Sequence, residues 1–111
     1  MFNLFKRKKS IVDSLDLSVL EGFKKIRNSD SLQYVNQDET KVVYLSVLKV
    51  TGSDVFSISS IKPTVIEDAN GWQLKAAKKL ENELLVCVIS VVRQDDIEWA
   101  KIVFDSIDLV K

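Results

Sequence analysis

Leu84-Leu85-Val86-Cys87-Val88-Ile89-Ser90-Val91-Val92 is the stretch on which the fold of this chain turns. It contains no Gly, no Pro and no charge, and it is rich in β-branched residues. Both alternating sets are apolar: Leu84, Val86, Val88 and Val92 on one side, Leu85, Cys87, Ile89 and Val91 on the other. A strand with one wet face alternates apolar with polar residues, and this one does not. It reads as a central strand covered on both faces.

The sequence on either side supports that role. Downstream, Asp95-Asp96-Ile97-Glu98 has the form of a capping box, with Asp95 at the N-cap and Glu98 at the third helical position. Ile97, Ala100, Val103, Phe104 and Ile107 then recur at helical spacing, which predicts a C-terminal amphipathic helix. Upstream, Trp72, Leu74 and Ala76 alternate with Gln73 and Lys75 as a strand, and Glu81-Asn82-Glu83 turns that strand into the central one. Residues 41–50 form a second strong strand, with Val42, Tyr44, Leu48 and Val50 facing one way and Val43, Leu45 and Val47 the other. It too reads as covered on both sides. Residues 36–39 are a hairpin loop, 32–35 a short strand, and Asn28-Ser29-Asp30 a turn.

Two segments are ambiguous. In 55–71, Pro63 fits the first position of a helix that places Ile61, Val65 and Ala69 on one face and stops at Asn70-Gly71. The β-branched Thr64-Val65-Ile66 argues for a strand instead. In 11–27, Val12, Leu15, Val19, Phe23 and Ile26 have helical spacing, whereas Leu15, Leu17 and Val19 alternate. The reading taken is a helix near 11–20 and an extended chain from Phe23.

At 111 residues the chain is long enough for one domain, burying roughly 65% of its unfolded surface. Residues 1–10 read as a flexible basic tail and 11–111 as a single α+β domain. Sixteen basic residues balance sixteen acidic ones. Four of the basic ones are Lys6, Arg7, Lys8 and Lys9, so the remainder of the chain carries twelve against sixteen, a net −4. This balance gives no basic nucleic-acid surface. Phe2, Phe5 and the four cations are candidates for contact with an anionic membrane surface, each cation adding about 1 kcal/mol there. A single short patch anchors weakly, and a solubilising leader is the reading preferred. No apolar run reaches the ~20 residues of a membrane span, and no signal-peptide core precedes the body. With Cys87 as the one cysteine, no internal disulfide forms, and a reducing cytoplasm is the expected compartment.

Catalytic chemistry finds little purchase. The chain has no His, which removes the commonest general base and the Ser-His-Asp and Cys-His arrangements. One Cys without His also leaves no usual zinc set. The acidic pairs Asp38/Glu39, Glu67/Asp68 and Asp95/Asp96 sit where turns and helix starts use them. Gly22, Gly52 and Gly71 are too far apart for a phosphate loop, and Trp72, Trp99, Tyr34 and Tyr44 are not interleaved with bases. No enzyme activity, cofactor or metal is expected.

The strand meander, then Gly71-Trp72-Gln73-Leu74-Lys75-Ala76-Ala77-Lys78, a hairpin into 84–92, Asp96-Ile97-Glu98-Trp99-Ala100 and a terminal Ser106-Ile107 resemble the C-terminal half of PsbP-like α/β/α sandwich proteins. That group includes a photosystem II extrinsic subunit, a Ran-binding nuclear import factor and bacterial proteins. The usual Pro-rich start is absent, and Leu20-Glu21-Gly22-Phe23 occupies the comparable place. The resemblance implies an antiparallel sheet with helices on both faces, no catalysis, and binding to a protein partner.

The expected function is therefore a non-catalytic protein-interaction or accessory domain, binding another protein or a second copy of itself. The alternative is a carrier holding a small apolar ligand or lipid between sheet and helix. The candidate partner surface is the outer side of the last helix. At ~100° per residue, Ile102 and Leu109 project away from the core stripe, with Trp99 on its border. Together they would form an apolar patch, unless the tail or the 55–71 segment wraps the helix end and buries them.

Overall fold

The computed structural model describes residues 15–28, 31–49, 60–80 and 83–109; within these, the side chains of 48, 49, 60, 61 and 109 lie outside the description. The basic tail, with Phe2, Phe5, Lys6, Arg7, Lys8 and Lys9, falls outside the described residues, as does the part of the predicted first helix before Leu15. The described elements are β1 (Leu15–Asp16), β2 (Lys24–Arg27), β3 (Ser31–Val35), β4 (Lys41–Lys49), β5 (Ser60–Asp68), β6 (Gly71–Leu80), β7 (Glu83–Val91), α1 (Ile97–Ser106) and β8 (Asp108–Leu109).

Strands β2 to β7 form one antiparallel sheet in the order β2-β3-β4-β7-β6-β5. Two three-stranded meanders meet where β4 pairs β7, in register from Lys41↔Val91 to Lys49↔Glu83. The apolar run that begins at Leu84 is thus the central strand β7, as its composition requires, and β4 is its partner. Both edges are blunted. β2 carries Lys24, Lys25 and Arg27, and β5 carries Pro63 beside a register shift between Ile61 and Thr64. Proline has no N–H to donate to a ladder, so an edge strand with an irregularity is where it fits. This corrects the helical reading of 63–71. Thr64, Val65 and Ile66 pair with Lys75, Leu74 and Gln73, and Gly71 opens β6 rather than closing a helix.

The register sorts every strand residue to one of two faces. Leu32, Leu45, Cys87 and Ala76 form one cross-strand row, and Tyr34, Val43, Ile89 and Leu74 the next. These rows build one buried cluster with Ala100, Val103 and Phe104 of α1 and with Ile107, Leu15 and Leu20. This is the helix face, and Val43, Leu45, Leu85, Cys87, Ile89, Val103 and Ile107 on it have no exposed surface.

The other face differs from the expectation of helices on both sides. Among the described residues α1 is the one α-helix, and it lies against β6 and β7. Leu84 and Ala77 are buried at one end of the opposite face, but Val86, Val88 and Ser90 of the central strand are only half-buried there, and Tyr44 is 37% exposed. An alternating strand pattern registers what each side chain prefers, not what covers it. The apolar residues at 86 and 88 therefore predicted a second layer that the described residues do not supply.

Three local expectations also change. Leu15–Asp16 is a strand, followed by a 3-10 turn at Ser18–Leu20, where a helix was expected; the side chain of Asp16 accepts from the N–H and Oγ of Ser18 and ends regular structure there. Phe23 does precede an extended segment, β2. The capping box at Asp95 does not form. Gln94–Asp96 is a 3-10 turn, the helix begins at Ile97, and Asp96 makes no side-chain cap bond but approaches Lys41 at 4.0 Å. Finally, α1 stops at Ser106. Ile107 is extended and fully buried, so Leu109 lies in β8, paired with Leu15, and not on the helix.

Candidate functional site

The end of α1 shows how the helix is fixed to the sheet. Lys78 of β6 lies on the helix face, two residues beyond Ala76. Its Nζ donates to the carbonyls of Phe104 at 2.7 Å and Ile107 at 2.6 Å, and lies 4.6 Å from the Phe104 ring centre. A cation here meets the negative end of the helix, adds a donor to the Phe104 carbonyl of its last turn and satisfies the carbonyl of Ile107 just beyond it. Burial lowers the Lys78 pKa, opposed by the negative charges of Asp108 and Asp105. The Cys87 thiol, on the same face, is pushed by burial up to about 12. Such a thiol is not a nucleophile near neutral pH. Both groups serve the core.

The start of α1 holds an aromatic cluster. Trp99 stacks on Phe23 with ring centres 5.9 Å apart and planes 13° from parallel, and Lys41 Nζ sits 5.3 Å from the Trp99 ring. Trp99 is half-buried and packs against the core, while Ile102 is 61% exposed. With Leu109 in β8, the three expected partner residues do not share one helix face. Ile102 alone projects from it, with Trp99 drawn toward Phe23.

The larger apolar surface is the open face of the sheet, which sequence reasoning missed. Its cross-strand rows follow from the register. One runs Lys24, Val35, Val42, Ser90, Gln73, Ile66, and the next Ile26, Gln33, Tyr44, Val88, Lys75, Thr64. Ile66 is 45% exposed, Ile26 and Tyr44 are also exposed, and Val35, Val42, Val86 and Val88 are half-buried. The signal was present in Tyr44, Gln33, Gln73 and Ser90, which a doubly covered sheet seldom places on one face.

At one end of this face an open groove of about 240 Å³ is bounded by Thr40, Val42, Gln73, Ser90 and Val92, with Glu39 and Asp68 at its rim. The loop beside it is held by side chains: Asn36 Oδ1 accepts from the Lys41 N–H at 2.9 Å, and Asn36 Nδ2 donates to Thr40 Oγ1 at 2.9 Å. Thr40 Oγ1 in turn donates to Asp38 at 2.8 Å, which lowers the Asp38 pKa. The acidic pairs act as turn formers here, and among the described residues no group of three or more Asp, Glu or Cys could hold a metal ion. No helix of the described residues is long and apolar enough to cross a membrane.

No family model, curated protein or solved structure matches this chain.

Proposed function

We propose that this chain is a non-catalytic protein-interaction domain that docks through the open face of its sheet. The observation that carries the reading is the unequal cover of one sheet. One face is covered by α1 together with Leu15, Leu20 and Ile107, while the other leaves Ile26, Tyr44 and Ile66 exposed around the half-buried Val35, Val42, Val86 and Val88. Val35, Val42, Tyr44, Val88 and Val86 adjoin one another there, bordered by Gln33, Gln73, Ser90 and Lys75, and an apolar patch with a polar border is the usual mark of a docking surface. The resemblance to PsbP-like proteins points the same way, since it implies a protein partner. The outer side of α1, with Ile102 and part of Trp99, is the smaller candidate surface.

The carrier alternative needs room between sheet and helix. There Leu74, Ala76, Leu85, Cys87 and Ile89 share one buried cluster with Ala100, Val103 and Phe104. The groove opens instead on the far face of the sheet, toward solvent, which suits a partner's side chain better than an enclosed lipid. Affinity capture from lysate of the native host cells, comparing the intact chain with Tyr44→Glu and Val88→Glu, tests the reading. It expects partners of the intact chain to be lost with both folded variants and kept with Ile102→Glu. Unchanged capture by the two sheet variants would refute it.

A further inference from the structure

We infer that the occupant of the open face is a second copy of this chain, stacked sheet on sheet about a twofold axis that crosses the strands. This rests on the reading of that face as a docking surface. The first support is charge. The chain carries no net charge as a whole, the net −4 outside residues 6–9 being offset by those four cations. The charges on the face are also ordered along the strands. Asp68 lies beside Gly71 at one end, with Glu39 at the same rim, and Lys75 lies two cross-strand rows farther on. The row between them is Val35, Val42, Ser90, Gln73 and Ile66, uncharged apart from Lys24 on the edge strand β2.

A twofold axis along that middle row exchanges the rows on either side of it. Lys75 of each copy then lies over the Asp68 end of the other, so that the attraction is made twice; Lys24, in the axis row, meets its own counterpart only at the edge strand, where water screens the pair. An axis parallel to the strands would instead set acidic end on acidic end. Isologous pairing therefore has one favoured orientation here.

The second support is shape. The groove lies at the acidic end, walled by Thr40, Val42, Ser90 and Gln73. Tyr44, the exposed aromatic of the face, stands in the row on the opposite side of the axis. The same rotation brings Tyr44 of one copy over the Thr40 side of the other copy's groove, and Val88 over Val92. The third support is area. Six strands at ~4.8 Å spacing and about five residues at ~3.4 Å outline roughly 500 Å² before side-chain relief, of the same order as the ~800 Å² each partner gives to a standard interface. Sheets stack in this way about 10 Å apart.

Sedimentation equilibrium of the full chain, from low to high micromolar concentration, is the test. A monomer–dimer equilibrium is expected, weakened by salt. Lys75→Glu and Asp68→Lys should each weaken it on the order of tenfold, and the double exchange should restore it, because each copy then offers the reversed pair. Val88→Glu should abolish it, with circular dichroism confirming the fold; Lys75 is exposed, so its variant keeps the test valid if Val88→Glu unfolds. A chain that is monomeric at every concentration overturns the self-pairing alone, and the capture comparison with Tyr44→Glu then decides whether the docking reading survives it. A dimer indifferent to Lys75→Glu, Asp68→Lys and Val88→Glu overturns the placement of the interface.

Discussion

Replacing Lys78 by Met removes a cation that holds the end of α1 to β6 while keeping most of the side-chain volume. Two charge-assisted bonds disappear, to the carbonyls of Phe104 and Ile107, each worth about 1.5–3 kcal/mol net. The Phe104 carbonyl keeps the Ile107 N–H at 3.3 Å, so the main loss falls on the Ile107 carbonyl. Relief of the buried ammonium and the added apolar surface of Met offset about 1–2 kcal/mol. The expected net loss is about 2 kcal/mol, or ~8 °C in Tm for a domain of this size, read by thermal unfolding followed by circular dichroism. The pH dependence gives a second readout. Because burial lowers the Lys78 pKa, the unfolded chain binds more protons than the folded one between that depressed pKa and the unfolded value of ~10.4. The group's contribution to stability therefore rises with pH through that window, and the gap between the native chain and Lys78→Met should widen there. A variant as stable as the native chain, with a parallel pH profile, would refute the claim that Lys78 fixes the helix.

Gly71→Ala should cost about 2–4 kcal/mol, because Gly71 has φ +139° and an added Cβ would lie 2.2 Å from the Val91 carbonyl oxygen; urea unfolding measures it. Cys87, with no exposed surface and its pKa pushed up to about 12, should react with a thiol reagent slowly in the native state and fast in denaturant, and equal rates would remove 84–92 from the centre of the sheet. Ile102→Glu should change stability by less than about 0.5 kcal/mol, since that side chain is 61% exposed; a larger loss by urea unfolding would place Ile102 in the core.

The parts of this fold legible in the sequence are those that one side chain's neighbours decide. The central position of 84–92, its hairpin with the strand before it, and the helix stripe at Ala100, Val103 and Phe104 follow from local period and turn residues, whereas the long-range pairing of β7 with β4 does not. What escaped depends on tertiary cover. Whether Val86 and Val88 meet a helix or solvent is not written in their own strand. Pro63 read as a helix start because a blunted sheet edge tolerates the same residue for the same missing N–H. Leu109 left the helix because Ile107 is drawn into the core while Lys78, distant in sequence, takes the carbonyls at the helix end. The candidate surface moved with these three. A helical projection placed Leu109 beside Ile102, and a doubly covered sheet concealed the open face on which Tyr44 stands.

The most direct measurement of that open face uses one strand with two thiols. In the Val88→Cys chain, residue 88 lies on the open face and Cys87 on the helix face one residue away. Reaction with a maleimide, followed by mass spectrometry across a range of protein concentrations, should modify position 88 rapidly in dilute solution and progressively more slowly as copies pair, while Cys87 stays slow throughout. Slow reaction at position 88 even in dilute solution, matching that of Cys87, would contradict the account, because the face would then be closed by the chain itself.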